Sequence, residues 1–302
     1  DPTAPTRQRR PDGAATAPDL SCAVMTTGAQ PPPGGPPGRT PPPPDPDGFL
    51  TPRPYSPRSM WVELVVVFLV TLGSSGLSSL VSLADALLAP VPLASQTVSI
   101  IVPQAQASYL DLIKQLLTIV RGLAWGALGL YLLWRSGVNL RTRLGLDRSR
   151  PWSDVGVGVV LTAVIGIPGI ALYLGAVAAG INLTVAPSTL NDVWWRLPVL
   201  VLAAIENGFL EEVLVVGYLV TRLEQLRLPG WAVIGVSAVL RGSYHLYQGF
   251  GGFLGNAVMG VVFAWWFRRT RRLWPLIIAH SLLDIFSFAG YALLKGSVSW
   301  LP

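Results

Sequence analysis

The chain has 302 residues, of which 51% are hydrophobic and only 13% are charged, with a formal net charge of +6 and a mean hydropathy of +0.50. This composition is too apolar and too poor in charge for an ordinary soluble domain, and it indicates an integral membrane protein. A basic balance can indicate nucleic-acid binding, but here the basic residues lie beside apolar stretches, which favours membrane topology and no nucleic-acid partner. The single cysteine, Cys22, excludes an intramolecular disulfide and a cysteine-rich metal site.

Residues 1–58 hold 17 of the 27 prolines and show almost no apolar periodicity that could form a core. We predict a disordered, Pro/Gly-rich cytoplasmic tail that acts as a solvated spacer. Polyproline segments of this kind can also dock into aromatic grooves, so a partner protein for the tail is the alternative.

Residues 59–302 are predicted to form one transmembrane helical domain. Apolar stretches of about 20 residues, the length that a helix needs to cross the hydrocarbon layer, recur to the end of the chain. The predicted fold class is therefore all-α, a polytopic membrane protein with about seven transmembrane helices. The predicted spans are 60–83, 116–134, 155–179, 197–220, 231–246, 250–267 and 273–294.

Arginine placement predicts the orientation of these spans. Short cytoplasmic loops carry an excess of Lys and Arg, and arginines cluster before the first span and in every second loop after it, whereas the other loops hold only Lys114, Arg196 and Lys295. The pattern predicts a multi-pass protein of the cell membrane with the amino terminus in the cytoplasm and the carboxyl terminus outside.

Charged and imidazole side chains inside the spans are candidates for function, because each charge costs about 2.5–3.5 kcal/mol on insertion. The first three spans contain only Glu63 and Arg121, each close to a water interface that its side chain could reach. The last four spans contain Glu206, Glu211, Glu212, Arg241, His245, His280 and Asp284.

Helical spacing predicts which of these groups meet. His280 and Asp284 are four residues apart and share one helix face, as do Arg241 and His245. The rise of about 1.5 Å per residue places the groups near the middle of the membrane. The spacing leaves the facing of Glu206 undecided.

The two adjacent glutamates point about 100° apart on a helix, so Glu211 can face a cavity while Glu212 orients it. Glu211, His245 and His280 could bind Zn²⁺ with an open fourth position that activates a water. A metal is not required, because a glutamate in a poorly hydrated cavity can act as general base while histidines polarise the attacked carbonyl. Either arrangement predicts hydrolysis by an activated water. The alternative for His280 and Asp284 is a purely structural hydrogen bond.

Three short motifs carry a resemblance to a known family. EEVLVVGYL at 211–219, RGSYH at 241–245 and HSLLD at 280–284 occur in this order on separate spans. Together they resemble the CAAX protease and bacteriocin-processing (CPBP) family, which includes CAAX prenyl protease 2 and lysostaphin resistance protein A-like proteins, over about residues 197–290. Two positions depart from the family pattern: Val216 stands where the family has arginine, and Arg241 where it has phenylalanine. We hypothesise that Arg241 supplies the missing cation.

The resemblance implies an intramembrane endopeptidase of the metallo or glutamate type that cleaves a peptide or a membrane-anchored protein in the lipid bilayer. Carried onto this chain, it implies that Glu211 activates water with help from His245 and is oriented by Glu212. His280 and Asp284 would bind the developing oxyanion or support the group that does, with Asp284 fixing His280 by a hydrogen bond.

Two other classes of function are open at this point. The departure at Val216 fits a catalytically silent relative that acts as a membrane scaffold or an immunity-type binding protein, and the proline-rich tail would suit a recruiter. Buried carboxylates and histidines could also relay protons in a transporter, although the inverted repeats and paired broken helices that are common in transporters are not visible in the sequence.

Overall fold

The computed structural model describes residues 55–294, and these are mostly helical. A seven-residue π-helical segment, Glu212–Tyr218, joins α6 to α7. The α-helices and strands, in chain order, are α1 Pro57–Val70, α2 Leu72–Leu88, β1 Thr97–Ile101, α3 Ser108–Arg135, α4 Leu140–Arg143, α5 Pro151–Ala178, β2 Thr184–Ser188, α6 Arg196–Glu211, α7 Leu219–Gln225, α8 Gly230–Ser243, α9 Phe250–Thr270 and α10 Trp274–Leu294.

Helices occupy all seven regions predicted to be spans, but they differ in their capacity to cross a bilayer. Within residues 55–294, α3, α5, α9 and α10 are long and apolar enough to do so, and α1 with α2 would make a fifth span bent by 52°. The 14-residue α8 is only about 21 Å long, which is shorter than the roughly 30 Å hydrocarbon layer. The structure therefore supports a membrane protein, and the count of seven spans stays a prediction.

The all-α prediction missed a small parallel sheet. Strands β1 and β2 pair in parallel, with Thr97 opposite Thr184 and Ile101 opposite Ser188. Their sequences, TVSII and TVAPS, are rich in the β-branched residues that favour strands. Each strand is only five residues long and lies next to a much longer apolar stretch, so hydropathy alone did not separate it from the loops.

The amino-terminal end of the described region is anchored to the helices. Pro57 starts α1, and the Ser56 side chain caps it by accepting a hydrogen bond from the Ser59 amide. Tyr55 donates a hydrogen bond to Glu63 and lies over the guanidinium of Arg222. Most of the predicted tail, residues 1–54, lies outside the described residues.

The π-helical segment is the most deeply buried part of the described chain. All seven of its residues are buried, and its four consecutive apolar residues 213–216 are fully enclosed. The Ser237 hydroxyl of α8 donates a hydrogen bond of 2.9 Å to the Val215 carbonyl, so a neighbouring helix satisfies one of the widened turn's backbone groups. Such π-helical turns are rare and occur frequently at functional sites, and here the segment begins at the second glutamate of the EE pair.

Gly208 brings α6 and α10 into close contact, one turn before Glu211. A Cβ atom at this position would lie 2.8 Å from the Ser281 backbone nitrogen, directly after His280. We expect Gly208→Val to push the two helices apart and to lower the free energy of unfolding by about 1–3 kcal/mol, the usual cost of overpacking. Thermal unfolding in detergent measures the change. Gly175→Val in α5 is the matched control, since nothing lies within 4 Å of its added Cβ, and an equal loss in both variants would contradict the packing role.

Ion pairs join several loop regions to one another. Arg272 pairs with Asp154 at the start of α5, and Glu224 accepts hydrogen bonds from both Arg268 and Arg271. Burial alone would raise the pKa of Glu224, but these arginines lower it below its ordinary value. The contacts bring the ends of α7 and α9 and the starts of α5 and α10 together.

Glu63 belongs to a hydrogen-bond network, and 14% of its side chain stays exposed, so its access to water stays a prediction. It accepts hydrogen bonds from the Tyr218 hydroxyl at 2.7 Å and from Arg222 Nε at 2.9 Å. The Arg222 side chain is fully buried and also donates to the Ser136 hydroxyl beyond α3. A buried guanidinium needs such partners, since an unpaired one carries a large desolvation cost.

Candidate active site

A buried guanidinium lies between the two glutamates. Arg241 donates to Glu211 Oε2 at 3.2 Å through NH1 and to Glu212 Oε1 at 2.6 Å through NH2. Glu211 is 3% exposed, and Glu212 and Arg241 are fully buried. Charges this deep in a protein must be paired, and Arg241 contacts both glutamates as the hypothesis of an exchanged cation requires. The guanidinium comes from α8, whereas Val216 stands in the π-helical segment as a fully enclosed apolar residue.

Glu211 and Glu212 have different surroundings although they are adjacent. Glu211 is the last residue of α6 and lines a large cavity of about 1520 Å³. Glu212 starts the π-helical segment and does not line that cavity. This difference agrees with the expectation that one carboxylate faces a cavity while the other supports the site.

The two carboxylate oxygens of Glu211 have separate surroundings. Oε2 accepts a hydrogen bond of 2.6 Å from the Tyr244 hydroxyl in addition to the contact with Arg241. Oε1 lies 3.9 Å from Nε2 of His245, too far for a direct hydrogen bond and within the range that a water can bridge. Nε2 of His245 is buried and has no hydrogen-bond partner among residues 55–294. The carboxylate is thus held by one oxygen and presents the other toward the imidazole.

His245 does not lie on the same helix as Arg241, which corrects the sequence prediction. Helix α8 ends at Ser243, and His245 is in the turn that follows, before α9 begins at Phe250. Gly249 in that turn has φ +108°, a conformation that L side chains rarely adopt. The turn brings the imidazole to Glu211, and Gln248 places its amide nitrogen 3.4 Å from the other ring nitrogen, Nδ1.

His280 is connected to Glu212 rather than to Asp284. Its Nδ1 lies 2.7 Å from Glu212 Oε1 and 3.4 Å from Arg241 NH1. Its Nε2 is 3.7 Å from Asp284 Oδ2, an ion-pair distance but too long for the hydrogen bond that was predicted between them. The same Asp284 oxygen instead accepts a hydrogen bond of 2.7 Å from the amide of Asn207 on α6.

One large cavity connects the groups. It has a volume of about 1520 Å³ and is lined mostly by apolar side chains of α3, α5, α9 and α10. Four of the five predicted site residues line it, the exception being Glu212, and the lining includes Glu211, His245, His280 and Asp284. The structure thus brings together side chains from α6, the turn after α8, and α10.

Glu206 lines the same cavity, and its carboxylate interacts electrostatically with Glu211 and Asp284. It packs against Gly122 of α3, where an added Cβ would overlap Oε1. Within residues 55–294 it does not bind Arg241, which is bound by Glu211 and Glu212.

The sequence interpretation missed two neutral residues that touch the site. Tyr244 binds Glu211, and Asn207 binds Asp284. A search for charged residues passes over both. The signal for Asn207 was its amide in an apolar span, four residues before Glu211 and therefore on the same helix face. The signal for Tyr244 was only its position beside His245.

The described side chains do not form a ligand set for zinc. Among residues 55–294, no group of three or more His, Cys, Asp and Glu side chains is arranged to hold a metal ion. The space between Glu211 and His280 is occupied by the cationic NH1 of Arg241, at 3.2 Å and 3.4 Å from them. A metal at that position would have to displace a buried cation that is bound to both glutamates.

The part of the chain that carries the three motifs, at 211–219, 241–245 and 280–284, matches a known family. Residues 193–286 match the family model described as Rce1-like, type II CAAX prenyl endopeptidase. The predicted resemblance to the CPBP family is confirmed. The matched segment of 193–286 starts and ends four residues earlier than the predicted 197–290, and it contains every predicted site residue. The CPBP match supports an enzyme of the CAAX-protease type. Neither the curated proteins nor the solved structures gave a significant match to the chain.

Proposed function

We propose that the protein is an intramembrane endopeptidase in which Glu211 acts as general base on a water molecule. The observation that carries the proposal is the pairing of Glu211 Oε1 with Nε2 of His245 across 3.9 Å, at the surface of a mostly apolar cavity. A water between these atoms would contact both of them. Tyr244 and Arg241 bind the other carboxylate oxygen, Oε2. These contacts orient Oε1 and leave it available to a water molecule.

The proposed reaction is hydrolysis of a peptide bond. Glu211 removes a proton from the water as its oxygen attacks the carbonyl carbon, which gives a tetrahedral intermediate with a negative oxygen. The protonated Glu211 then returns that proton to the leaving nitrogen as the carbon–nitrogen bond breaks. His245 orients the water, and Glu212 and Arg241 act as positioning residues that keep the Glu211 carboxylate in place.

Asn207 completes the proposal for the oxyanion. The resemblance implied that His280 and Asp284 bind the oxyanion or support the group that does, and an ionised aspartate accepts hydrogen bonds but cannot donate one. The Asn207 amide carries two N–H donors, of which one binds Asp284, so the second can serve the negative oxygen. Asp284 would orient this amide, and His280 would supply a further polar group from the same wall of the cavity.

We expect Asn207→Leu to lower kcat by about 10²–10³-fold, the usual loss for one oxyanion donor, with little change in KM. Steady-state cleavage in proteoliposomes measures both constants. Asn256→Leu on α9 is the matched control, because Asn256 lines the same cavity but its amide donates to the Gly252 carbonyl of its own helix. Equal losses in the two variants would contradict a specific role for Asn207.

The apolar cavity favours a substrate that is itself partly apolar. A membrane-associated peptide or the membrane segment of a protein fits this lining. The word prenyl describes the matched family, and we do not assign prenylated substrates to this chain.

We propose a multi-pass protein of the cell membrane with the amino terminus in the cytoplasm. The contacts that join the starts of α5 and α10 with the ends of α7 and α9 support this orientation, because these four ends carry the loop arginines predicted to be cytoplasmic.

The proposal is tested by mass spectrometry of new peptide termini in membranes. Cells that express the wild-type chain should contain termini within or beside membrane segments that are absent when Glu211→Gln is expressed at the same level. Identical sets of termini in the two membranes would overturn the proposed activity.

Metal removal gives a separate prediction. Because the cationic NH1 of Arg241 lies between Glu211 and His280, we expect 1,10-phenanthroline to leave the cleavage rate unchanged and the purified protein to contain zinc well below one equivalent. Metal analysis of the wild type, Glu211→Gln and His280→Ala measures this. Stoichiometric zinc that is lost in both variants would show a metal centre and contradict the prediction.

A further inference from the structure

A second cavity, of about 760 Å³, lies beside helix α2 and differs from the first in chemistry. Five serines of α2 line it at spacings that place them on one helix face. Ser78 and Ser82 are exposed, so the cavity is a groove open to the surface, which we name the serine groove. Its polar lining also includes Asp85, Gln96, Tyr244 and Tyr247.

The face of α2 that points away from Ser78 and Ser82 is apolar. Leu77 and Leu80 on that face are 60% and 53% exposed, which suits contact with lipid. The Ser74 and Ser82 hydroxyls donate to the carbonyls of Thr71 and Ser78, but a hydroxyl oxygen can still accept hydrogen bonds, which water supplies and lipid tails do not. The two faces of α2 therefore indicate lipid on one side and water in the serine groove on the other.

The serine groove reaches Tyr244, a residue that binds Glu211. Ser75, Tyr244 and Tyr247 line both the groove and the large cavity, so they form a shared wall. The Tyr244 hydroxyl in this wall donates to Glu211 Oε2 at 2.6 Å. The Ser79 hydroxyl donates to the Tyr244 carbonyl at 3.0 Å and fixes the wall from the groove side.

We propose that the serine groove supplies water to Glu211 while substrate occupies the large cavity. This inference rests on the proposed function, because each hydrolysis consumes one water. An apolar peptide in the large cavity would expel water from that side. Water then needs a second route, and the serine groove reaches the residue that holds the Glu211 carboxylate.

Cysteine accessibility tests whether the groove is wet. In a full-length Cys22→Ser background reconstituted in liposomes, Ser78→Cys and Ser82→Cys should react with a charged methanethiosulfonate reagent, since the reactive thiolate forms only in water. Leu77→Cys and Leu80→Cys on the other face of α2 are the matched controls and should react far more slowly. Equal labelling of the two faces, or no labelling of the serine face, would overturn the proposal without reference to protease activity.

Turnover tests whether the wet groove serves the reaction. Labelling of Ser78→Cys should cause a loss of kcat with unchanged KM, because the bulky adduct blocks water and leaves the substrate cavity open. Unchanged turnover after complete labelling would overturn the water route. If the unlabelled protein cleaves no substrate, the proposed function is wrong, and the water route is wrong with it. The labelling experiment does not depend on cleavage and would still show whether the groove contains water.

Discussion

Replacement of Glu211 by glutamine is expected to lower kcat by about 10²–10⁴-fold, the range that a general base contributes. Glutamine has the same shape, and its carbonyl can still accept the Tyr244 hydrogen bond that holds Oε2 in the wild type. The change removes the ability to take a proton from water and one of the two negative charges that face Arg241, while Glu212 keeps its own contact with the guanidinium. The substrate should bind as before, so KM should change little. Cleavage in proteoliposomes and thermal unfolding of the same preparations measure the two effects.

The control for this variant is Glu206→Gln. Glu206 lines the same cavity but packs against Gly122 of α3 and does not bind Arg241 within residues 55–294, so this variant should keep most of its activity. A Glu211→Gln protein that retains full cleavage would contradict the role of Glu211 as general base. One that keeps its cellular role without any cleavage would favour the alternative of a catalytically silent scaffold.

Replacement of Arg241 by leucine is expected to lower the free energy of unfolding by about 3–5 kcal/mol, because it leaves buried carboxylates without their cation. Arg241 is fully buried and binds both Glu211 and Glu212. Thermal unfolding and the yield of folded protein measure the loss. Arg269→Leu is the matched control, since Arg269 is exposed beside Trp265, and it should change the free energy by less than about 0.5 kcal/mol.

A second variant distinguishes charge from packing at Arg241. Arg241→Leu combined with Glu212→Gln removes the cation together with one of its anions, so much of the lost stability should return. Glutamine at this position can still accept the hydrogen bond from His280. Activity should stay low, because Glu211 has lost a positioning contact. Equal destabilisation of the single and double variants would show that leucine fails by shape alone and would contradict the role of Arg241 as the exchanged cation.

Hydropathy predicted the helical regions, because apolar stretches of about 20 residues carry a strong signal. It did not show that the first span is a bent pair, α1 and α2, or that 97–101 pairs with 184–188. Strand pairing depends on partners distant in sequence, and no local pattern in these five-residue strands indicates a partner.

The site was predictable to the extent that it depends on charge burial. Charged groups in apolar spans must find one another, and on this basis the sequence predicted that Glu211, His245 and His280 meet near the middle of the membrane. Arg241 entered through the family resemblance, as the hypothesised replacement for the missing cation. Helical spacing failed for His245, because α8 ends at Ser243 and a turn carries the imidazole to Glu211. Helical spacing also failed for the predicted hydrogen bond between His280 and Asp284, because the Asp284 carboxylate instead accepts a hydrogen bond from Asn207 of another helix.

The source of the oxygen in the product tests the central claim most directly. When the reconstituted protein cleaves its substrate in water enriched in ¹⁸O, the account predicts one heavy oxygen in the new carboxyl terminus, and labelled product that forms about 10²–10⁴-fold more slowly with Glu211→Gln. Products without solvent oxygen, or labelled products from both proteins in equal amount, would contradict hydrolysis by a water that Glu211 activates.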